Sequence, residues 1–284
     1  MVQDSTYTFS HKDPTIIKET LQSKYQNISE YMGNNKLSLN SDKTHLLVMS
    51  TSNKHKRHND FGVTLNTGNE IIQPEKFEIL LGGVISSDLK WTENLRDNPK
   101  SLIKCLSTRL KALAKISNIA SFKTRKMIAN GIFLSKLIYL IQVWGGCSEF
   151  LLSSLQILQN RAARHVTKLG WYTPVKVLLT QCGWLSVRQL VVYHSLNLIF
   201  KTKRDKKPVY FYEKFTRRFT YSTRLASENH IKIDTQITKA LTRKNFTYKA
   251  TITWNELPNE IRQANSLENF KKQAKAWIVS NIPI

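Results

Sequence analysis

Cysteine is scarce in this chain of 284 residues. There are three, at 105, 147 and 182, and none sits in a Cys-x-x-Cys pair. That spacing argues against a disulfide framework or a zinc ribbon and suits reduced thiols in a nuclear or cytoplasmic protein. Long apolar runs are also missing. The most apolar stretch, Gly131 to Cys147, is interrupted by Lys136 and Gln142. It is too short to span a bilayer and reads as a buried helix. The first residues are polar and carry no secretory h-region. The histidines are scattered, with no His-x-x-x-His pair to suggest a metal site, and there is neither a Gly-x-Ser-x-Gly elbow nor a Walker-type loop. No internal repeat or long low-complexity tract occurs.

What the chain has in excess is positive charge. Lys and Arg number 43 against 20 Asp and Glu, a net charge of +23. The excess is one-sided. Residues 1–90 hold ten of each sign, and residues 91–284 hold the other 33 basic and 10 acidic residues. A solvated basic surface repels itself unless a polyanion covers it, so nucleic acid is the default partner. A merely soluble basic protein and a membrane-surface binder are the plainer readings of the same charge. Apolar content of 41% and six Trp are enough for a folded core.

Periodicity predicts an α+β protein that is mostly helical. Ser5 to Ser10 alternates like a short strand. Pro14 opens a helix whose apolar face is Ile17, Leu21, Tyr25, Ile28 and Met32. Lys43 to Thr51 reads as a buried strand around Leu46 to Met49. Phe61 to Leu65, Ile71-Ile72 and Phe77 to Ile85 are further strand candidates. After Trp91 the period turns helical, with Leu102, Leu106, Leu110, Leu113 and Ile116 on one stripe. Ser121 caps a second helix expected to reach Trp144. Ser148 caps a third, with Leu151, Leu155, Leu158, Ala162 and Val166 as its stripe. A short helix follows Pro174, Ser186 caps one to about Lys203, and Ser266 caps the last, to Asn281. Residues 208–250 give no clear pattern.

Met1-Val2-Gln3-Asp4, Leu39-Asn40-x-x-Lys43-Thr44, and Leu80-Leu81-Gly82 followed by Asp88-Leu89-Lys90-Trp91 occur in that order. Together these stretches resemble the back end of a reverse transcriptase from a non-LTR retrotransposon, a LINE of the jockey-like kind. The helical part adds Tyr139, Trp144-Gly145, Leu158-Gln159-Asn160-Arg161 and Gly183-Trp184-Leu185. The most specific match is Trp254-Asn255-Glu256-Leu257-Pro258 with Ile261-Arg262. The resemblance covers nearly the whole chain. It implies a small β-rich palm remnant with a primer-grip hairpin over 1–91, a helical thumb-like domain over 92–205, and a basic C-terminal region over 206–284 that ends in a helix.

Such an RNA-directed DNA polymerase uses carboxylates to hold two Mg²⁺ ions at the growing end. By resemblance Asp4 matches the second Asp of the catalytic hairpin, and Gln3 stands where the first belongs. An amide binds Mg²⁺ far more weakly than a carboxylate, so the metal set is incomplete and this chain alone is expected to hold none tightly. Alone, Asp4 would pass for an ordinary polar residue. Lys43 matches the family Lys beside the incoming triphosphate, and Leu80, Leu81 and Gly82 match the primer grip. Gly83 and Ser86 depart from the family pattern.

The remaining expectation is a grip on RNA, DNA or a hybrid through Lys123, Arg125, Lys126, Arg161, Arg164 and Lys168. The last three, spaced three and four apart, are placed on one helix face. Trp144, Trp184 and Trp254 could stack on bases, though core packing is the better reading of each. The chain is read as a truncated, catalytically incompetent fragment, with no endonuclease segment. The alternatives are a domesticated nucleic-acid-binding or scaffold protein, and a gene whose upstream part encodes the rest of the enzyme. No membrane partner is expected.

Overall fold

The computed structural model describes residues 5–50, 62–68, 70–216, 230–232 and 246–284. It is a mostly helical α+β protein with two small antiparallel sheets. The chain divides into two compact units, residues 1–98 and 99–284. The expected Gln3 and Asp4 lie outside the described residues.

In the first unit, helix α1 spans Pro14–Asn34. Asp13 caps it by accepting from the Thr15 N–H at 2.9 Å, and Pro14 fills the first turn, where no N–H is needed. Ile17, Leu21 and Tyr25 of its expected apolar face pack on Leu46, Val63 and Leu65. The Gln22 amide pairs with both backbone groups of Asn66, at 2.8 and 2.9 Å, and so fastens α1 to strand β1. Strand β1 (Leu65–Asn66) pairs with β2 (Ile71–Ile72), and β3 (Phe77–Leu80) pairs with β4 (Gly83–Ser86) in a tighter hairpin.

Two expected strands are not formed. Ser5 to Ser10 is not in a sheet, because alternation yields a strand only where another edge takes its hydrogen bonds. Lys43 to Ser50 makes a single parallel bridge, Leu46 to Pro74. Leu46 is buried there while Met49 is exposed, so the apolar run is not a buried strand. Phe61 and Thr51 lie outside the described residues.

Among the described residues, the regular elements of the second unit are helices. Helix α2 (Leu102–Ser117) buries the expected Leu102, Leu106, Leu110 and Leu113. Ser121 caps α3 (Phe122–Ile128), which runs through a π-helical turn, Ala129–Leu134, into α4 (Ser135–Ile138). The expected continuation to Trp144 breaks at Leu140, which takes a left-handed conformation (φ 55°). A new short helix, α5 (Ile141–Trp144), follows, and the Trp144 indole donates to the Tyr139 carbonyl across the break at 2.9 Å. Then come α6 (Glu149–Thr167), α7 (Val175–Cys182), α8 (Val187–Asp205), α9 (Val209–Phe215), α10 (Phe246–Glu256), α11 (Asn259–Arg262) and α12 (Leu267–Asn281). A full capping box at Ser186 and Gln189 starts α8, and Ser266 caps α12.

Helices α6 and α8 organise this unit. Helix α6 packs on α2 and α7, and α8 carries α5, α9, α10 and α12. The last helix therefore docks on the helical unit through an aromatic cluster. Phe200 of α8 stacks on Phe270 of α12 at 4.3 Å, and Trp254 of α10 lies 5.9 Å from the same ring. Gly145 sits where α5 meets α8. A Cβ there would lie 2.5 Å from the Ile141 carbonyl oxygen and 2.7 Å from the Val191 side chain, so only glycine fits. Phe270 is fully buried. Phe270→Ala should cost about 3–5 kcal/mol in denaturant unfolding of the helical unit, and a loss below about 1 kcal/mol would remove this cluster from the core.

Candidate nucleic-acid interface

The structure concentrates charge more sharply than the halves of the sequence suggest. Residues 98–204 hold seventeen Lys and Arg and a single carboxylate, Glu149. That carboxylate is engaged by Arg188. The basic side chains of this unit must find other acceptors or face water.

Arg125 takes the first course. It is buried, and its guanidinium donates to the Val166 carbonyl at 2.8 Å and the Ala120 carbonyl at 2.6 Å. The Val166 oxygen lies in the last turn of α6, where the backbone dipole is negative, and Ala120 lies in the connection just before α3. Arg125 is therefore a structural tie between α3 and the end of α6, and the structure gives it a task other than the expected phosphate contact. The sequence hid this because burial cannot be read from the triplet Lys123-Thr-Arg125-Lys126.

The tie gathers other cations. It seats the first turn of α3, with exposed Lys123, beside the C-terminal end of α6. Lys126 reaches toward Gly183, the left-handed cap of α7, its Nζ 3.4 Å from where a Cβ would stand. Lys275 of α12 donates to the Gly183 carbonyl at 3.4 Å. Arg161 is exposed on α6, and Arg164, half-buried one turn later, donates to the Trp171 carbonyl at 3.1 Å. Lys168 does not continue their helical face. The helix ends at Thr167, and Lys168 caps it in the left-handed region (φ 60°). It is exposed beside them all the same. Lys126 and Lys275 thus meet at the Gly183 cap of α7, the end of α6 carries Arg164 and Lys168 with Arg161 one turn back, and the start of α3 carries Lys123.

The three tryptophans considered for base stacking are core residues. Trp144 and Trp254 are 1% exposed and Trp184 is 8% exposed, with its indole donating to the Asn130 side chain at 2.8 Å. Lys203 lies 5.1 Å from the centre of the Trp254 ring, and burial, with Arg262 nearby, brings it down to about 8. Burial also pushes the Cys147 thiol up to about 12 and the Cys182 thiol to about 11, so both resist ionisation.

In the first unit, the Asn40 carbonyl accepts from the Lys43 N–H at 3.2 Å and the Thr44 hydroxyl at 2.9 Å. The resulting turn leaves Lys43 exposed. The β3–β4 hairpin closes through Leu81 (φ 50°) and Gly82 (φ 75°), a two-residue turn with both residues left-handed. Leu81 is 79% exposed and Leu80 40%. Glycine suits such a turn and leucine does not: a left-handed Leu costs about 1 kcal/mol, which the turn bears while presenting apolar surface to solvent.

Among the described residues one group could hold a metal ion. His45, Glu75 and Glu78 place three donor atoms within 4.8 Å of one another. The imidazole Nδ1 lies 2.7 Å from Glu75 and 3.5 Å from Glu78. An imidazole in the set does not suit Mg²⁺, which takes an octahedron of oxygens, so these residues do not replace the carboxylate pair implied by the resemblance. Compared with protein-family models, with curated proteins and with solved structures, the chain matches none.

Two outcomes test these assignments. Arg125→Ala leaves two carbonyls without their donor and should destabilise the helical unit by about 1–3 kcal/mol, whereas Lys123→Ala should stay within about 0.5 kcal/mol. Equal effects would refute the tie. The second outcome concerns pH. The hydrogen bond to Glu75 raises the His45 pKa above 6.5, helped by the Glu78 charge and opposed by burial. A raised folded value stabilises below the unfolded pKa and is lost as pH climbs through the folded one. An NMR titration should place His45 above 6.5, and Glu75→Gln should bring it down. An unchanged midpoint in that variant would exclude the interaction.

Proposed function

We propose that this chain is the C-terminal part of a non-LTR retrotransposon reverse transcriptase that grips RNA, DNA or an RNA–DNA hybrid by its backbone, in the nucleus or cytoplasm, without templated synthesis of its own. The observation that carries the binding reading is the run 98–204, with seventeen cations to one carboxylate, and the gathering of its side chains at the ends of α6 and α7. Phosphates of any sequence satisfy such a surface, and the displaced counterions supply the driving force. The polymerase reading is supported by the ordered motifs. On it, residues 1–91 are the palm remnant, the β3–β4 tip at Leu80, Leu81 and Gly82 is the primer grip, and 92–205 is the thumb. Among the described residues, no helix is long and apolar enough to cross a membrane.

The donor set supports the proposed inactivity. Gln3 offers no charge where the family carries an Asp, and the residues that converge elsewhere include an imidazole. Lys43 can supply a positive charge to a triphosphate but cannot hold the two ions that the step requires.

Affinity for a primer–template duplex should fall steeply with salt. About five phosphate contacts give a slope near −4 in log K against log[salt]. Lys123→Ala, Arg161→Ala and Lys168→Ala should each weaken binding similarly across sequences and reduce that slope by about one. A flat salt response would overturn the basic unit as the binding surface. Primer extension with Mg²⁺ or Mn²⁺ should yield no product above a blank, and templated product would overturn the claim of inactivity.

A further inference from the structure

Between α6 and α7 the chain makes a turn in which the Thr173 N–H donates to the Gly170 carbonyl at 3.1 Å. Trp171 and Tyr172 occupy its two corners. Corner positions normally go to Gly, Asn, Asp or Ser, which suit the bend and the solvent. Here they hold two large rings, 68% and 97% exposed. Of the six tryptophans, Trp171 alone is mostly exposed. Arg164 fixes the turn twice: its guanidinium lies 4.7 Å from the centre of the Trp171 ring and donates to the Trp171 carbonyl. The indole is thus held in place from below by an element of the core while most of its surface stays in water.

The surroundings state what would cover it. Lys168 precedes the turn, Lys176 follows it, both are exposed, and no carboxylate occurs between Glu149 and Asp205. Aromatic faces beside cations match the two parts of a nucleotide, base and phosphate. A duplex buries its base faces in its own stack and leaves the rings nothing to stack on. The neighbouring Gly170, Thr173 and Pro174 add little of the apolar area that insertion into a bilayer would need.

We propose that Trp171 and Tyr172 form a stacking platform for unpaired nucleotides at the edge of the basic surface, so that the chain favours single strands or strand ends over a closed duplex. This rests on the nucleic-acid reading above and adds a preference that backbone charge alone does not give.

The test uses the full chain with a 12-nucleotide oligo(U), an RNA–DNA duplex of equal length, and vesicles of phosphatidylcholine and phosphatidylserine, all at one salt concentration. Trp171→Ala and Tyr172→Ala should each weaken oligo(U) binding by about 5- to 150-fold, leave duplex affinity within about twofold, and leave the salt slope unchanged. Trp171→Phe and Tyr172→Phe should restore most of the loss. Tyr172 is almost wholly exposed, so its variant keeps the test valid should Trp171→Ala disturb Arg164. If the wild type binds oligo(U) and duplex with normal salt dependence but neither alanine variant changes oligo(U) binding, the platform is refuted and the basic surface stands. Equal losses on both nucleic acids also refute the preference. Loss confined to vesicles assigns the rings to a membrane and refutes it too. If the wild type binds neither nucleic acid, both readings fall together.

Discussion

A fold that places seventeen cations against one carboxylate over 107 consecutive residues can satisfy few of them by ion pairs within that run. Arg188 with Glu149 and Arg204 with its neighbour Asp205 are ion pairs of the second unit, and both are exposed. The arginines that are drawn inward use backbone carbonyls instead. Arg109 donates to Ile132 inside the π-helical turn, where the wider winding displaces the usual i−4 pairing. Arg125 donates to Ala120 and Val166, Arg164 to Trp171, and Arg262 to Asn255. The Val166 and Asn255 oxygens belong to helix ends, whose carbonyls have no partner within the helix and carry partial negative charge. The unit thus meets its inward arginines with backbone carbonyls, while Lys123, Arg161 and Lys168 stay exposed.

That division explains which parts were legible in the sequence. Apolar period and capping chemistry are local, so the helices beginning at Pro14, Leu102, Glu149, Val187 and Leu267 were expected close to where they stand. The strands expected at Ser5 to Ser10 and around Leu46 to Met49 do not form, because these segments have the right alternation or apolarity but lack an edge to join. The break at Leu140 was also hidden. Its cause, the Trp144 indole reaching back to Tyr139, is a contact between side chain and backbone that no period encodes. Helix α10 went unseen since its apolar residues are spread around it and its stabilising partner, Phe270, lies in the last helix.

The site was partly legible for the same reason. Runs of Lys and Arg announce a basic surface, but spacing treats Arg125 and Lys123 alike. Only the packing of α3 on α6 separates the buried tie from the exposed charge. The exposed pair Trp171-Tyr172 had a usable signal, namely two aromatics in a Gly-Pro-bounded turn. The tryptophans that drew attention instead were those in longer motifs, and all three proved to be core.

Many of the motif residues in the helical unit share a further property: they serve packing. Gln159 is fully buried and donates to the Leu185 carbonyl, while its oxygen accepts from Gln156, whose own oxygen accepts from the Val187 N–H. Gly183 supplies the left-handed cap that turns the chain so that Trp184 meets Asn130. Asn255 grips both backbone groups of Ile231 at 2.9 Å, and Arg262 closes on the Asn255 carbonyl. A chain retaining these locks retains the scaffold that aims its outer cations, whatever becomes of its chemistry. Binding that depends on charge density needs the scaffold and tolerates loss of a catalytic carboxylate, whereas templated synthesis needs both. In this chain the locks beneath the basic residues are in place, and on the proposed polymerase reading Gln3 stands where the first carboxylate would be.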